Sequence, residues 1–143
     1  MKEPIPYLAE ETAALRRLYA ALNRNDIPAM MEEFAPDAEW LEPADLPGGG
    51  VYRGRPAVAA NAARARATWA EGSCDPEQFI TVPGDRIVVF DSVHVRLKTE
   101  TEWRDGAIAA VYTFRDGLVV QGRVFLDRDQ ALAWARTAAP VAE

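Results

Sequence analysis

His94, the sole histidine, and Asp127 are the two side chains in these 143 residues that we single out as able to move a proton at neutral pH. An imidazole titrates at about pH 6.5 when unperturbed and serves as acid or base there. A carboxyl reaches the same range in an apolar pocket, because burial disfavours its charged form. Each has a plainer reading. His94 can be a hydrogen-bonded strand residue or lie on an outer, dimer-facing side of a sheet. Asp127 can be a helix N-cap, a position aspartate favours, and a cap can also serve a pocket. Arg96 and Arg123 can hold a carboxylate or an anionic substrate oxygen, or point into solvent. Glu42 follows Trp40 by two, so a strand presents both on one face, with Glu42 as a pocket acid or a rim charge. Tyr19, Trp40, Tyr112, Phe114 and Phe125 are candidates for pocket wall or for core.

Other chemistries lack their residues. One His and one Cys cannot furnish a zinc shell. Neither a GxSxG elbow nor a Cys/His nucleophile arrangement occurs, and there is no dinucleotide-binding fingerprint. The expectation is a protein with neither metal nor cofactor. The glycine triplet at Gly48–Gly50 is followed by Tyr52 and Arg53 rather than a lysine, so it reads as a rim loop and not a phosphate cradle. A net charge of -6 argues against nucleic acid, whose affinity comes from neutralised phosphates. No apolar run approaches the roughly 20 residues of a membrane helix. The N-terminal stretch has no apolar signal-peptide core, and the single Cys74 cannot form an internal disulfide. A cytoplasmic protein of one domain, spanning residues 1–143, is expected.

The elements that must position these residues follow from periodicity. Leu8, Thr12, Leu15, Leu18, Tyr19 and Leu22 form one stripe of a helix ending near Asn23. Asp26 is placed to cap a second, short helix with Pro28 in its first turn, running to about Phe34. "APDA" breaks it, and Glu39 to Glu42 reads as extended. Ala44 to Gly54 reads as a loop. Pro56 opens a third helix to about Glu71, closed by Gly72, with Val58, Ala62, Ala65 and Trp69 on one face. The period then becomes two. Strands are expected at Phe79–Val82, Arg86 to about Lys98, Trp103–Arg115 and Leu118–Leu126, with an Asp116-Gly117 hairpin turn. A final short helix follows Asp127. Helices early and strands late give an α+β fold with a mainly antiparallel, curved sheet covered by three helices.

Strand alternation groups the candidates. Ile108, Ala110, Tyr112 and Phe114 share a face, as do Gln121, Arg123, Phe125 and Asp127. On the long strand Val88, Phe90, Ser92, His94 and Arg96 share one face; Ile87, Val89, Asp91, Val93 and Val95 share the other. Faces that mix aromatics with a few polar groups suit a ligand pocket, so the mixed faces are expected to point inward. The more apolar face of Val89, Val93 and Val95 is then left for homodimerisation.

The ordered set of Tyr19 and Leu22 before "NRNDI", "FAPDAEW" (34–40), "YRGRPAV" (52–58), "TFRDGLVV" (113–120) and "FLD" (125–127) resembles the NTF2-like superfamily, and within it the SnoaL-like group. The resemblance covers nearly the whole chain. It implies a cone of curved sheet closed by helices around a pocket, often as a homodimer. Members include polyketide cyclases, steroid isomerases, epoxide hydrolases and non-catalytic binding proteins, so it implies a container and not one reaction. The cyclase-like members use a carboxylate from the region of Asp127 as base. The Asp-Arg-Asp set of the hydrolases is not offered by the contiguous Asp127–Asp129, and Asp91 and Arg96 fall on opposite strand faces. The functional expectation is a cofactor-independent isomerase or cyclase acting on a small hydrophobic carbonyl compound. The alternatives are a non-catalytic small-molecule binder and, third, a protein-interaction module using the outer sheet face.

Overall fold

A computed structural model of the chain describes residues 6–139. The first helix, α1 (Ala9–Asn23), buries Leu15, Leu18 and Tyr19 on the stripe that the periodicity marks. Asn25 then adopts a left-handed conformation, and the Asp26 carboxylate accepts a hydrogen bond from the Ala29 amide at 3.1 Å, starting α2 (Ile27–Met31). This helix is shorter than expected. "APDA" does not separate it from a strand; those residues lie inside β1 (Phe34–Glu42), whose register against its neighbour shifts between Phe34 and Glu39. That irregularity breaks the period of two and hides the strand from a pattern reading.

The segment read as a loop contains β2 (Gly50–Arg53), paired with β1. Helix α3 (Arg55–Arg66) also ends earlier than expected. The chain from Trp69 is already β3 (Trp69–Val82), so Gly72 is a strand residue paired with Val95, just past a register shift, and not a helix stop. Register shifts at residues 69–71 and 76–78, with Glu71, Asp75, Glu77 and Gln78 exposed, remove the alternation that would have announced fourteen residues of strand. Strands β4 (Arg86–Leu97), β5 (Arg104–Arg115) and β6 (Leu118–Phe125) follow, and α4 (Arg128–Thr137) is capped by Asp127. Asp116 and Gly117 both have positive φ, as a type I′ hairpin turn requires.

The strands form one sheet in the order β2-β1-β6-β5-β4-β3, antiparallel throughout except for β1 against β6. The α+β class and antiparallel bias are as expected. Helices α1 to α3 cover one face, with Leu15, Leu18, Phe34, Val58, Ile87, Val89 and Tyr112 in the core between. The other face is not bare. Helix α4 docks there through Ala131 and Ala135 on Val82, Val88, Ala109 and Val111, flanked by Phe90, Phe125 and Trp134. The buried Arg86 guanidinium holds the helix end, donating to the carbonyls of Ala138 at 2.9 Å and of Ala139.

Candidate active site

Odd-numbered residues of β4 face α1 to α3, and one of them is an acid. Asp91 alternates with Ile87, Val89 and Val93 and is 2% exposed. A lone carboxylate in an apolar stripe is costly, so its surroundings decide its state. Tyr112 Oη on β5 donates to Tyr19 Oη on α1 at 2.9 Å, and Tyr19 Oη donates to Asp91 Oδ2 at 2.8 Å. Asp91 Oδ1 is buried with no hydrogen-bond partner among the described residues. Burial pushes the Asp91 carboxyl up to about 7, against the Tyr19 hydrogen bond and the Arg128 cation, which pull it down. Arg128 reaches it from the opposite side of the sheet, donating to the Asp91 carbonyl at 3.0 Å while its guanidinium lies over Phe90. Burial also holds both tyrosines well above their ordinary range, so they stay protonated.

Asp91, Tyr19 and Tyr112 line a cavity of about 200 Å³ between the sheet and α1, α2 and α3. Its remaining wall is mostly apolar: Leu18, Leu22, Met30, Trp40, Val58, Trp69, Val93 and Val124. Trp40 stands tilted 5.9 Å from Tyr112, and its Nε1 donates to Glu42 Oε1 at 3.2 Å. The ring fits there because β6 carries Gly122 beneath it; a Cβ at that position would lie 2.4 Å from the ring. Cys74 lines the cavity too, and burial raises its thiol pKa, which keeps it an unreactive neutral group. From α3, Asn61 is buried and faces the same space. An apolar enclosure with a few convergent polar groups, one of them a carboxyl near neutrality, can bind a small hydrophobic molecule and exchange a proton with it. Among the described residues no cluster of three or more His, Cys, Asp or Glu could hold a metal ion.

The family model for the SnoaL-like domain matches residues 15–122, from α1 into β6. The chain belongs to the SnoaL-like family. Solved SnoaL-like and NTF2-like structures superpose over most of it. An NTF2-like protein of unknown function from Burkholderia pseudomallei is 26% identical, covers 92% of this chain and 99% of its own, and has a TM-score of 0.72. A putative SnoaL-like polyketide cyclase from Jannaschia is 18% identical over 98% and 100% of the two chains, with a TM-score of 0.73. TerC, crystallised with polyporic acid, is 23% identical over 87% and 97%, with a TM-score of 0.73. At these identities the likeness to the last two establishes the fold alone. No curated protein matches the sequence. No helix among the described residues is long and apolar enough to cross a membrane.

Within this SnoaL-like frame the candidate residues divide. Tyr19, Trp40, Glu42 and Tyr112 line the cavity together. Phe114 is buried in the adjoining core. Arg123 and Phe125 lie on the opposite face of the sheet, around Trp134 of α4, and border a separate, more open groove. Asp127 is exposed and caps α4, accepting from the Gln130 amide at 3.0 Å. His94 is exposed on that outer face too, stacked on Trp103 at 4.3 Å and paired with Asp105. The expectation that the mixed faces of β4 and β6 point into the cone is therefore reversed. The physical reason is α4, which needs a docking face of its own and takes the aromatic residues Phe90 and Phe125. The face of Val89, Val93 and Val95 correspondingly faces inward: Val89 and Val95 are buried and Val93 lines the cavity, so it is not free for a dimer partner. The residue missed as a site candidate is Asp91. Its signal was present in the sequence, an acid alternating with four β-branched residues.

Proposed function

We propose that this protein is a cofactor-independent acid–base enzyme acting on a small hydrophobic carbonyl compound, with Asp91 as the proton-transferring group. The observation that carries this reading is the Asp91 carboxyl, buried in the wall of an apolar cavity with one oxygen unpartnered, where burial pushes it up to about 7. Ionised Asp91 takes a proton from the carbon α to the carbonyl, and the C–H electron pair moves into the enolate. Protonated Asp91 then returns the proton to the same carbon, to a conjugated one, or to the product of an intramolecular addition. Such a positioned base supplies roughly 10²–10⁴ in rate. The chain Tyr112–Tyr19–Asp91 engages Oδ2, and Oδ1, buried without a hydrogen-bond partner among the described residues, is the oxygen this reading gives to the substrate.

Acetophenone is a suitable probe, since exchange of its methyl protons with deuterated water is read by NMR. Exchange above buffer by wild type, lost in Asp91→Asn, supports the reading. Exchange that survives the substitution overturns it. A second reading, a binding protein without turnover, is favoured by the commitment of both tyrosine protons inside the chain, which leaves few free donors. It predicts acetophenone binding with no exchange in wild type. We retain a cytoplasmic homodimer as the proposed setting, with light scattering to separate monomer from dimer.

A further inference from the structure

Proton abstraction next to a carbonyl needs a donor for the oxygen that becomes an enolate. The polar groups around the cavity can be sorted by what they have left to give. Tyr112 donates to Tyr19 and Tyr19 donates to Asp91, so neither hydroxyl proton is free. The Trp40 indole N–H is held by Glu42. Arg66 directs Nε and Nη2 to the carbonyls of Leu22 and Asn23, at the end of α1; its guanidinium lies over the Trp69 ring and is only half-buried, so water competes for its remaining Nη1 donors. Asn61 is different. It is 6% exposed, one turn after the buried Val58 on α3, and lines the cavity. Its Oδ1 accepts from Arg64 Nη2 at 3.1 Å. A guanidinium has no acceptor, so this contact fixes which way the amide points. The NH₂ group, with two donors and no partner among the described residues, is left for whatever occupies the cavity.

Volume limits that occupant. About 200 Å³ is a little more than the ~150 Å³ of an apolar cavity that accepts benzene, and below the ~300–1,000 Å³ of pockets for drug-sized ligands. The wall cannot easily yield on the β6 side, where Trp40 is seated against Gly122 and Tyr112.

We propose that the cavity takes a carbonyl compound of single-ring size, and that Asn61 Nδ2 holds its oxygen. This rests on the acid–base reading above, but its test is a binding measurement and needs no turnover. The probes are acetophenone and its hydrocarbon counterpart ethylbenzene, titrated calorimetrically against wild type, Asn61→Leu and Asn61→Asp. Leucine keeps the branched outline and removes the donor; its extra bulk narrows the cavity for both probes alike, so the ratio of their affinities isolates the hydrogen bond. Aspartate keeps the oxygen facing Arg64 and removes the NH₂, which provides a second variant should the first not fold. In both, acetophenone affinity relative to ethylbenzene should fall about tenfold, the value of one neutral hydrogen bond. An unchanged ratio, or the same loss in Arg66→Gln with Asn61 intact, overturns the assignment of Asn61. A four-ring steroid ketone should not bind wild type, and Trp40→Ala should admit a two-ring ketone. A steroid ketone that binds wild type as tightly as acetophenone overturns the size limit. If these binding results hold while exchange is absent, the acid–base reading fails and this proposal stands.

Discussion

Asp91→Asn should stabilise this protein, and do so only above a definite pH. The Asp91 carboxyl moves from 3.8 in the unfolded chain to about 7 in the folded one, chiefly because burial disfavours its charge. An acid with a raised folded pKa binds its proton more tightly in the native state. Its contribution is fully present below about pH 3.8 and is lost as pH rises towards 7, levelling off above. At about 1.36 kcal/mol per pH unit, the interval amounts to about 4 kcal/mol, a large part of the 5–15 kcal/mol typical of native proteins. Asparagine mimics the protonated acid: its oxygen can accept from Tyr19, and its NH₂ takes the place of Oδ1, which has no partner. The two proteins should therefore be of similar stability near pH 4 and differ by up to about 4 kcal/mol at pH 8.5, with the variant ahead. Urea unfolding of both across pH 4 to 8.5 measures this. Using the difference between the two cancels the surface carboxylates, such as exposed Asp37 and half-buried Glu100, whose arginine partners hold them low. A difference independent of pH would refute the placement of an ionisable Asp91 in an apolar wall.

Other outcomes are expected from the same structure. Arg128→Met removes the cation that pulls the Asp91 carboxyl down, so the rise of the exchange rate with pH should move to higher pH, read from the pH–rate profile. Gly122→Ala places a methyl against the Trp40 ring; overpacking of this kind costs about 1–3 kcal/mol and should show in denaturant unfolding, in tryptophan fluorescence and as weaker probe binding. His94→Gln removes an exposed pair with Asp105 and the surface stacking on Trp103, so stability should change by no more than about 1 kcal/mol and exchange should be unaltered. Asp127→Ala should lose about 1 kcal/mol with the cap of α4, by thermal or urea unfolding, again without loss of exchange.

The sequence made the container legible and misplaced its contents. Period-3.6 apolar stripes located α1 and α3 because those helices are amphipathic against one core, and capping chemistry located Asp26 at the start of α2. Asp116-Gly117 located the β5–β6 hairpin through backbone chemistry that needs no tertiary knowledge. Strand β3 was largely missed because bulges break its alternation and its residues are half polar. The choice of inner face on β4 failed for a different reason. Alternation says which residues share a face, never which face a helix elsewhere in the chain will cover, and α4 decided that. Tyr19, Trp40, Glu42 and Tyr112 were legible as pocket candidates from residue type and spacing, but the sequence left core or rim open for them, and the cavity is what brings them together. Asn61 left no signal: it adjoins the apolar stripe of α3 and reads as an ordinary surface amide.

The parallel pairing of β1 with β6 has a consequence for how the protein comes into being. Glu39 and Gln121, 82 positions apart, sit side by side, and this junction joins the N-terminal hairpin to the rest of the sheet. During synthesis α1, α2, β1, β2 and α3 emerge first; they can pack on one another, but most of the sheet that completes their core has yet to arrive. Ile87, Val89, Ala110, Tyr112, Phe114 and Val119, which complete that core, lie on β4, β5 and β6 and arrive later. Loop-closure entropy must be met before these distant contacts return anything, which places the chain among slow folders of high contact order. The nascent half-molecule is therefore the species most exposed to aggregation and to chaperones. The cavity cannot exist before the ribosome has completed its final strand.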